Sequence, residues 1–443
     1  MFPELNKFFE RYLRKEPMFW GYLIYHTALL HLGLNPDYSF RSRNVQKKLV
    51  NSVRDAGKNV PFYRDLYRKV GIDIQEFSGT QDLKKLPLVT KDDIRSAFPD
   101  RITREGTNLD RCIHSATTGS TGKSLPIVYS RSTYALYLAA NLRIYTMIGY
   151  KPWYKTSYIK YTPLAKYNFG PFFRFDHVPS MTSAEKQIEI LRQNKPDFLD
   201  GYPSIILEIA QKASSEDLKD IRPRMIMLNS EMSTNDQRDF IARVFNCPVY
   251  DEYSTEETWM VASQCKHKNY HLFTDNVFME FLDKQGNDVG PGEPGELYLT
   301  TLRSPVMPFI RYRIGDIGRY TYDNCSCGCQ FPIIESFDGR ADDSFILPDG
   351  RLISPLKILN TFNKYIQKHL HLLEEFKVIQ KKHDHVVIKL VKGNEYSQEA
   401  FREVLDSLHA LLGDSVQIDV EYTNYIHNPG SIKRKAIESQ LDN

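Results

Sequence analysis

Cysteine is scarce in this sequence, which has six cysteines among 443 residues. So few thiols in a chain of this length exclude a scaffold held together by disulfide bonds. The first residues, MFPELNKFFERYLRKEP, also lack the basic and then apolar order of a secretory signal peptide. Together, the two absences predict a protein of the reducing cytoplasm.

An excess of charge of one sign is missing as well. The chain has 58 basic and 55 acidic side chains, which give a net charge of +3. We find no basic tract with interleaved aromatic residues of the kind that single-strand nucleic-acid binders use. The composition therefore predicts no nucleic-acid partner.

The sequence also lacks a long hydrophobic run. Its most apolar N-terminal segment, MFWGYLIYHTALLHLGL at 18–34, contains two histidines and is shorter than the roughly 20 apolar residues that span a bilayer. It predicts a buried helix and no transmembrane segment. A shallow membrane or partner contact through its aromatic side chains is the alternative.

The spacing of apolar residues distinguishes a helical region from a region of alternating strands and helices. Helical periodicity dominates the first hundred residues, where TKDDIRSAF opens with a threonine cap and acidic residues in its first turn. From about residue 125, short apolar runs alternate with amphipathic stretches, which predicts βαβ units and a parallel sheet. The predicted strands are LPIVYS, PDFLDG, RMIMLNS and CPVYDEY, and the predicted helices are SAEKQIEILRQN, PSIILEIAQKA and TNDQRDFIARVF.

The pattern changes again towards the C-terminus. From about 277 to 336, short strands broken by glycine and proline predict an antiparallel or barrel-like layer. After GRADD at 339–343, the sequence predicts a compact α+β unit that begins with a hairpin turning at Asp349 and Gly350. We therefore predict an α/β protein with a large domain at 1–340, helical over 1–100, and a small domain at 341–443.

A hydroxyl-rich and glycine-rich loop precedes the first of these strands. Gly122, Lys123 and Ser124 fit the end of a phosphate-binding GxxxxGK[ST] loop, but its first glycine is missing because position 117 is threonine. The missing glycine therefore argues against a Walker A fold. Backbone N–H groups and hydroxyls of the segment can still surround an anion, although a solvated linker of the same composition is the alternative. The loop residues are Thr117, Thr118, Gly119, Ser120, Thr121, Gly122 and Lys123.

Polar clusters fall at the carboxyl ends of predicted strands, where open α/β sheets bind their ligands. LNSEM at 228–232 follows one strand and YDEYSTEETW at 250–259 follows the next. RYRIGDIG at 311–318 joins arginines to an aspartate, and GRADD comes soon after it. A binding site built from these segments is predicted at that edge.

In this order and spacing, the segments resemble the adenylate-forming superfamily of acyl-CoA synthetases, adenylation domains and luciferases. They look most like its phenylacetate-CoA ligase and CapK-like branch. The resemblance extends over nearly the whole chain, and any one motif is weak, whereas six in family order are specific. The motifs are PFYRDLY, LPLVTKDDIR, TTGSTGKSL for the family's T[ST]GSTGxPL, GYPS at 201–204, the YGSTE-like YSTEE, and YRIGD for YRTGD.

The resemblance implies roles that suit the residue types. The loop at 117–123 would hold the β and γ phosphates of ATP. Glu257 matches the glutamate of YGSTE, which binds Mg²⁺. Glu256 lies one residue too early for this match but is the fallback. An exposed acidic turn without metal is the alternative for both glutamates.

Further matched positions concern the nucleoside and the hinge. Asp316 would accept hydrogen bonds from the ribose hydroxyls, because a carboxylate has acceptors only, and Arg340 would join it. Ser230, Glu231 and Tyr253 would line the adenine slot, although Tyr253 suits a core position equally well. Asp342 matches the residue about which the family's C-terminal lid rotates.

The catalytic lysine motif at the C-terminus departs from the family pattern. That lysine normally follows a glycine, whereas this chain reads NPGSIKRKAIE. Alignment of the apolar ending puts Ile432 at the lysine's place, and a two-residue shift puts Lys433 there instead. Lys433 is the predicted catalytic residue, with Lys435 as its substitute, and weak adenylation is the alternative.

The cysteines support a second inference. Three thiolates and one imidazole satisfy a tetrahedral structural zinc site, and some members of the phenylacetate-CoA ligase branch have one at positions matching Cys265, His271, Cys325 and Cys327. His267 is an alternative ligand, and Cys329 lies nearby in sequence. Reduced cysteines without metal remain the other interpretation.

The resemblance thus implies an ATP- and Mg²⁺-dependent ligase that converts a carboxylic acid to an acyl-adenylate and passes the acyl group to a thiol, in most cases that of CoA. The aromatic-rich and lysine-rich region 149–176 fits an aryl or anionic acid, or merely an aromatic core. Transfer to a carrier protein, amine or sugar, as in CapK-like pathways, is an alternative. A non-catalytic nucleotide-binding relative is another, and a homodimer is expected without direct support.

Overall fold

The computed structural model describes residues 17–32, 38–117, 124–161, 172–366, 372–426 and 434–441. The chain divides into two compact units. The first comprises 1–151 and 252–336, and the second comprises 152–251 and 337–443.

Helices make up the N-terminal part of the first unit, as predicted. Thr90 caps one of them: its side chain accepts from the backbone N–H of Asp93, whose carboxylate in turn accepts from the Thr90 N–H, which forms a capping box. The helices of this unit are Pro17–Leu32, Tyr38–Asn59, Pro61–Lys69, Thr80–Leu83, Lys91–Ala97 and Arg131–Met147.

The helix Pro17–Leu32 packs against Arg131–Met147. His26 and Leu30 are buried, whereas Ile24 and Tyr25 are exposed, so the predicted buried helix buries one of its faces. None of the helices in the described residues is long and apolar enough to cross a membrane.

The strands of the first unit are antiparallel, which confirms the layer predicted for 277–336. Gly295 faces the backbone of Phe281 so closely that a Cβ would lie 2.9 Å from its carbonyl carbon, so this strand pairing requires glycine. The strands are Ile113–Ala116, Pro126–Tyr129, Trp259–Gln264, Tyr270–Leu272, Val277–Leu282, Gly295–Thr301 and Tyr312–Thr321.

One strand prediction was wrong in its pairing. The segment LPIVYS forms the strand Pro126–Tyr129, but it pairs antiparallel with Ile113–Ala116 in a two-stranded sheet and takes no part in the parallel sheet. A short apolar run indicates burial but carries no information about the partner strand. In sequence, the two strands flank the predicted phosphate loop at 117–123.

The second unit contains the predicted parallel sheet. Its strand order is Arg174–Pro179, Lys155–Lys160, Phe198–Gly201, Met225–Leu228 and the start of Val249–Thr255. The helices Ala184–Asn194, Pro203–Lys212 and Asn235–Phe245 contribute apolar side chains to one buried cluster with these strands, and a short helix spans Asp217–Asp220. The parallel register brings the carboxyl ends of neighbouring strands to one edge.

The C-terminal part of the second unit has its own sheet and core. The order of its four strands is Gln417–Tyr422, His385–Lys392, Leu373–Lys382 and Ile437–Ser439. The helices Pro355–Ile366 and Gln398–Leu412 bury Phe362, Val404 and Leu408 in this core. The hairpin Phe345–Ile346 and Leu352–Ile353 turns at Gly350, whose φ of 82° favours glycine, as predicted.

These elements confirm the predicted α/β class. The boundary near residue 340 stays a prediction: the strand Ile333–Arg340 ends there, whereas the division into compact units falls between 336 and 337, and the unit that contains the C-terminal core also includes 152–251.

Candidate functional site

The described ends of the predicted phosphate loop are tied together. The Thr117 N–H donates to the Leu125 carbonyl at 3.0 Å, and the Leu125 N–H donates to Thr117 Oγ1 at 3.0 Å. Thr117 therefore closes the base of the loop with its own hydroxyl. The predicted phosphate-binding residues between these ends, Thr118, Gly119, Ser120, Thr121, Gly122 and Lys123, lie outside the described residues.

Tyr253 and Asp316, predicted for the adenine and the ribose, are in direct contact. Tyr253 Oη donates a hydrogen bond of 2.6 Å to Asp316 Oδ2, between residues 63 positions apart. Asp316 lies on the strand Tyr312–Thr321, directly after Gly315, whose φ is 86°. The hydrogen bond orients the Asp316 carboxylate, which the sequence assigns to the two ribose hydroxyls.

The two candidate magnesium glutamates have different surroundings. Glu256 accepts from the Ser115 hydroxyl, two residues before Thr117. Glu257 is 6% exposed, and its Oε1 accepts a 2.9 Å hydrogen bond from Tyr312 Oη. Tyr312 thus orients one oxygen of Glu257, whereas Ser115 ties Glu256 to the hairpin that leads into the loop.

The turn after the strand Met225–Leu228 carries the other adenine candidates. Ser230 has a φ of 70°, a left-handed conformation that costs a non-glycine residue about 1–3 kcal/mol and occurs most often at binding sites. Ser230 Oγ lies 3.2 Å from Lys160 Nζ, and Lys160 also donates to Asn229 Oδ1. Neither Lys160 nor Asn229 was assigned a role of its own from the sequence, although Asn229 lies in the predicted polar cluster LNSEM and Lys160 lies in the lysine-rich region 149–176.

Glu231 links this turn to the C-terminal segment. Its Oε2 accepts from the Ser204 N–H at 3.2 Å, and its Oε1 accepts from the backbone N–H of Arg434 at 3.0 Å. The Arg434 guanidinium pairs with Glu208 at 2.8 Å. Lys433, the predicted catalytic lysine, directly precedes Arg434 but lies outside the described residues.

The alternative lysine and the hinge residues lie near one another. Lys435 Nζ pairs with Asp343 Oδ1 at 2.6 Å, and burial raises the pKa of Asp343 although Lys435 opposes that shift. Arg340 ends the strand Ile333–Arg340, and Asp342 lies in the short 3-10 helix Ala341–Asp343 that follows. The structure thus places both hinge candidates at the entry to the C-terminal part.

Four predicted zinc ligands converge in the first unit. One ligand atom from each of Cys265, His271, Cys325 and Cys327 lies within 4.8 Å of the others. Cys327 Sγ is 3.3 Å from His271 Nε2, and Cys265 Sγ is 3.6 Å from Cys325 Sγ. Segments about 60 residues apart in sequence are brought together here by the antiparallel pairing of Tyr270–Leu272 with Ile333–Arg340.

The groups of this cluster differ in the direction of their pKa shifts. Burial raises the pKa of Cys327 to about 11; burial opposes the shift of His271, but contacts with Cys265 and Cys329 raise its pKa to about 12. Burial opposes ionisation of Cys325, but hydrogen bonds from the Asn269 amide and the Cys327 N–H bring its pKa to about 6. His271 Nδ1 lies 3.1 Å from the Phe331 carbonyl, which directs Nε2 towards the sulfurs, as is usual for metal-binding histidines. His267 donates its backbone N–H to Cys265 at 3.3 Å, and Cys329 donates its own to Cys327, also at 3.3 Å.

Comparison with known proteins agrees with this geometry. Residues 345–440 match the family model described as the CapK C-terminal domain. Phenylacetate-coenzyme A ligase of Thermus thermophilus is 24% identical over 315 residues, or 68% of this chain and 71% of the relative. Protein CapK of Staphylococcus aureus is 24% identical over 408 residues, or 86% of each chain.

The fold agrees as well. A crystal structure of 2-hydroxyisobutyryl-CoA ligase in the postadenylation state, in complex with R3-HIB-AMP, has a TM-score of 0.76 at 20% sequence identity and covers 92% of this chain and 91% of that chain. The chain therefore has the fold of the adenylate-forming CoA ligases. Its sequence is similar to phenylacetate-CoA ligases and CapK, which confirms the resemblance found in the sequence motifs.

Proposed function

We propose that this protein is an ATP-dependent ligase that activates a carboxylic acid as an acyl-adenylate and transfers the acyl group to the thiol of CoA. In the first step, a carboxylate oxygen attacks the α-phosphorus of ATP and pyrophosphate leaves. In the second, the thiol sulfur attacks the acyl carbon, AMP leaves with the bonding electrons, and the thiol proton is released. Relatives named as phenylacetate-CoA ligases support CoA as the acceptor, and the similar fold solved in a postadenylation state with R3-HIB-AMP supports the acyl-adenylate.

The hydrogen bond between Tyr253 and Asp316 is the observation that carries the proposal. A carboxylate that accepts from the ribose hydroxyls must be held in one orientation, because preorganised groups avoid the free-energy cost of ordering on binding. The tyrosine that fixes it belongs to the segment assigned to the adenine. Residues predicted for two parts of one nucleoside are therefore joined across 63 positions of sequence.

The metal role falls to Glu257 in this proposal. Among the described residues, its side chain has one hydrogen-bond partner, Tyr312, at Oε1, so Oε2 is open to a cation. Mg²⁺ prefers carboxylate and phosphate oxygens and would offset the repulsion between the acid and ATP. Glu256 is the alternative because Ser115 places it at the base of the phosphate loop, which the residues Thr117–Lys123 would complete.

Lys433 is the proposed contact to the substrate carboxylate and the α-phosphate. The described residue that follows it, Arg434, donates its backbone N–H to Glu231 at the turn that we assign to the adenine, which supports this role for its neighbour in sequence. Lys435 is a weaker candidate because its ammonium already pairs with Asp343. The boundary near 340, with Asp342 as the hinge and Arg340 beside the ribose, completes the proposed lid.

We also propose that the Cys265, His271, Cys325 and Cys327 cluster binds a structural zinc ion. Three sulfurs and one imidazole nitrogen form the donor set of closed tetrahedral sites, and the Phe331 carbonyl orients the imidazole. Bound zinc would join the turns around 265–271 and 325–329. Purified protein should contain about one zinc per chain, whereas Cys325→Ser together with Cys327→Ser should contain none; an equal zinc content in both would contradict the site.

Two classes of molecule are candidates for the acceptor of the acyl group. Transfer to CoA is favoured by the phenylacetate-CoA ligase relatives. Transfer to a carrier protein, amine or sugar is favoured by the match of residues 345–440 to the CapK C-terminal domain. An aromatic acid, a cytoplasmic location and a homodimer are further expectations that rest on the sequence alone.

Exchange of labelled pyrophosphate into ATP across a panel of aryl, hydroxy and dicarboxylic acids tests the first step. We expect exchange that depends on one class of acid and is strongly reduced in Glu257→Gln. Adding CoA to the best acid should then yield a thioester. Exchange without thioester would favour the second acceptor class, and ATP binding without exchange for any acid would favour a non-catalytic relative.

A further inference from the structure

Lys160 is a cation at the ligand-binding edge that the sequence comparison does not assign. It is the last residue of the strand Lys155–Lys160, and its carbonyl lies 2.8 Å from His177 Nε2. Its ammonium donates to Asn229 Oδ1 and to Ser230 Oγ at 3.2 Å. The charge therefore lies beside the turn that we assign to the adenine.

Buried groups hold this ammonium in place. Asn229, 2% exposed, donates through its amide nitrogen to Asp200 Oδ1 at 2.6 Å. Asp200, 5% exposed, thereby turns the amide oxygen of Asn229 towards Lys160. The ammonium also lies 4.9 Å from the centre of the Tyr202 ring, where the ring face attracts a cation. Asn229, Asp200 and Tyr202 thus orient the Lys160 ammonium together.

The hydrogen-bond acceptors that contact the Lys160 ammonium are neutral groups. In the parts of the chain that the structure describes, Lys160 makes no ion pair with a carboxylate. Lys155, at the other end of the same strand, pairs instead with Asp176 at 3.6 Å. Neutral oxygens satisfy the N–H donors of an ammonium but leave its net charge uncompensated, so a fixed lysine with neutral partners attracts an anion.

The backbone at Ser230 adds a second, independent sign of a ligand. Its φ of 70° is unfavourable for a residue with a Cβ, and such conformations persist where the surrounding structure enforces them, most often at binding sites. Here the enforcing contacts include Lys160. Lys160 and the strained Ser230 therefore belong to the same candidate ligand-binding site.

We propose that Lys160 binds an anionic oxygen of the reactants, which is either the carboxylate of the acid or the α-phosphate of ATP. This inference rests on the proposed function, because it assigns both anions to the same site. Lys160 would thereby supplement the cation of the altered C-terminal lysine motif. Because Lys160 belongs to the sheet, its position does not depend on that of the C-terminal segment. Charge-assisted contacts of this kind are short and strong.

Two substitutions and one matched control test the proposal. Lys160→Met removes the charge and keeps most of the side-chain volume, and Lys160→Gln keeps a hydrogen-bond donor for Asn229 without the charge, should the methionine variant fail to fold. Lys155→Met removes a lysine from the opposite end of the strand. The readouts are the KM for acid and for ATP in pyrophosphate exchange, and the affinities for AMP and adenosine measured by titration calorimetry.

The two sources of the anion predict different results. If Lys160 binds the α-phosphate, Lys160→Met and Lys160→Gln weaken AMP binding about tenfold or more and leave adenosine binding unchanged. If it binds the carboxylate, the KM for the acid rises by a similar factor while AMP affinity is preserved. Lys160→Arg should restore part of either loss, and Lys155→Met should match the wild type.

An outcome in which both neutral variants keep the wild-type KM and AMP affinity overturns the proposal and leaves the ligase function standing. Equal losses of AMP and adenosine binding also overturn it, because they show a structural effect on the whole turn. If the wild type exchanges pyrophosphate with no acid, the proposed function fails. Without an acid that the protein activates, the carboxylate is no longer a possible partner of Lys160, and only the α-phosphate remains. A loss of binding specific to AMP then supports Lys160 as an anion site, and unchanged AMP binding refutes it.

Discussion

The hydroxyl of Tyr253 holds the carboxylate of Asp316 through a hydrogen bond of 2.6 Å. Tyr253→Phe removes this bond and keeps the ring, so Asp316 loses its orientation but not its charge. We expect a KM for ATP that is about tenfold higher, in line with about 1.5–3 kcal/mol for a hydrogen bond to a charged group. Asp316→Asn should have a larger effect, measured by pyrophosphate exchange at saturating acid.

A tyrosine and carboxylate pair elsewhere in the same unit provides the control. Tyr298 Oη lies 3.4 Å from Glu296 Oε2, and Tyr298→Phe should leave the KM for ATP unchanged. Equal effects of the two tyrosine substitutions would contradict the assignment of Asp316 to the nucleotide.

Glu256 and Glu257 differ in which of their oxygens are already bound. The Tyr312 hydroxyl orients Glu257 through Oε1, and the Ser115 hydroxyl occupies an oxygen of Glu256. Glu257→Gln should therefore raise the Mg²⁺ concentration needed for half-maximal exchange about tenfold or more and lower the maximal rate. Glu256→Gln should change both values less. A reversed order would transfer the metal role to Glu256.

The predicted elements that proved correct are those whose pattern is local. The cap at Thr90 and the turn at Gly350 are each determined by a few adjacent residues, so no knowledge of the fold was needed to find them. The strand Lys155–Lys160 was missed because aromatic and lysine residues obscure alternation in that region. The strand Pro126–Tyr129 was found, but its partner was wrong, because pairing is a tertiary property.

The candidate site shows the same limit. Tyr253, Glu257 and Asp316 became candidates because a family resemblance assigns each position separately. The contact between Lys160 and Asn229 was not found, because it joins residues 69 positions apart at the ends of two strands that Phe198–Gly201 separates in the folded sheet. Nothing in a single sequence indicates that a lysine at the end of one strand faces an asparagine at the end of another.

Arg143 and Asp275 form a buried ion pair in the first unit. The Arg143 side chain is fully buried and bonds both oxygens of Asp275, at 2.7 and 3.3 Å, and its guanidinium carbon lies 4.4 Å from the centre of the Phe273 ring. Asp275→Asn leaves this guanidinium without a counter-charge. We expect unfolding to become easier by about 3–5 kcal/mol, measured by urea denaturation.

A surface pair gives the matched comparison. Lys84 and Asp288 lie 2.9 Å apart with more than half of each side chain exposed, so Asp288→Asn should cost about 1 kcal/mol or less. If the two aspartate variants were equally stable, the burial of Arg143 would not be the source of the effect.

His26 gives the protein a stability that depends on pH. Burial, with a smaller contribution from nearby Arg303, lowers the pKa of His26 from 6.5 to about 4, although its contact with Ser132 opposes the shift. The unfolded chain therefore binds more protons than the folded protein between pH 4 and 6.5, so this group makes stability fall as the pH decreases through that window. Below pH 4 both states are protonated, and its contribution levels off.

His26→Gln removes the titration, so its stability should fall less than that of the wild type between pH 6.5 and 4, by no more than about 3 kcal/mol. Urea denaturation at half-unit pH steps measures the difference between the two proteins, which cancels the carboxylates common to both. An NMR titration of the His26 imidazole in the folded protein provides the direct check. A measured pKa near 6.5 would show that the helix Pro17–Leu32 leaves this ring in contact with water, and the two stability profiles would then run parallel.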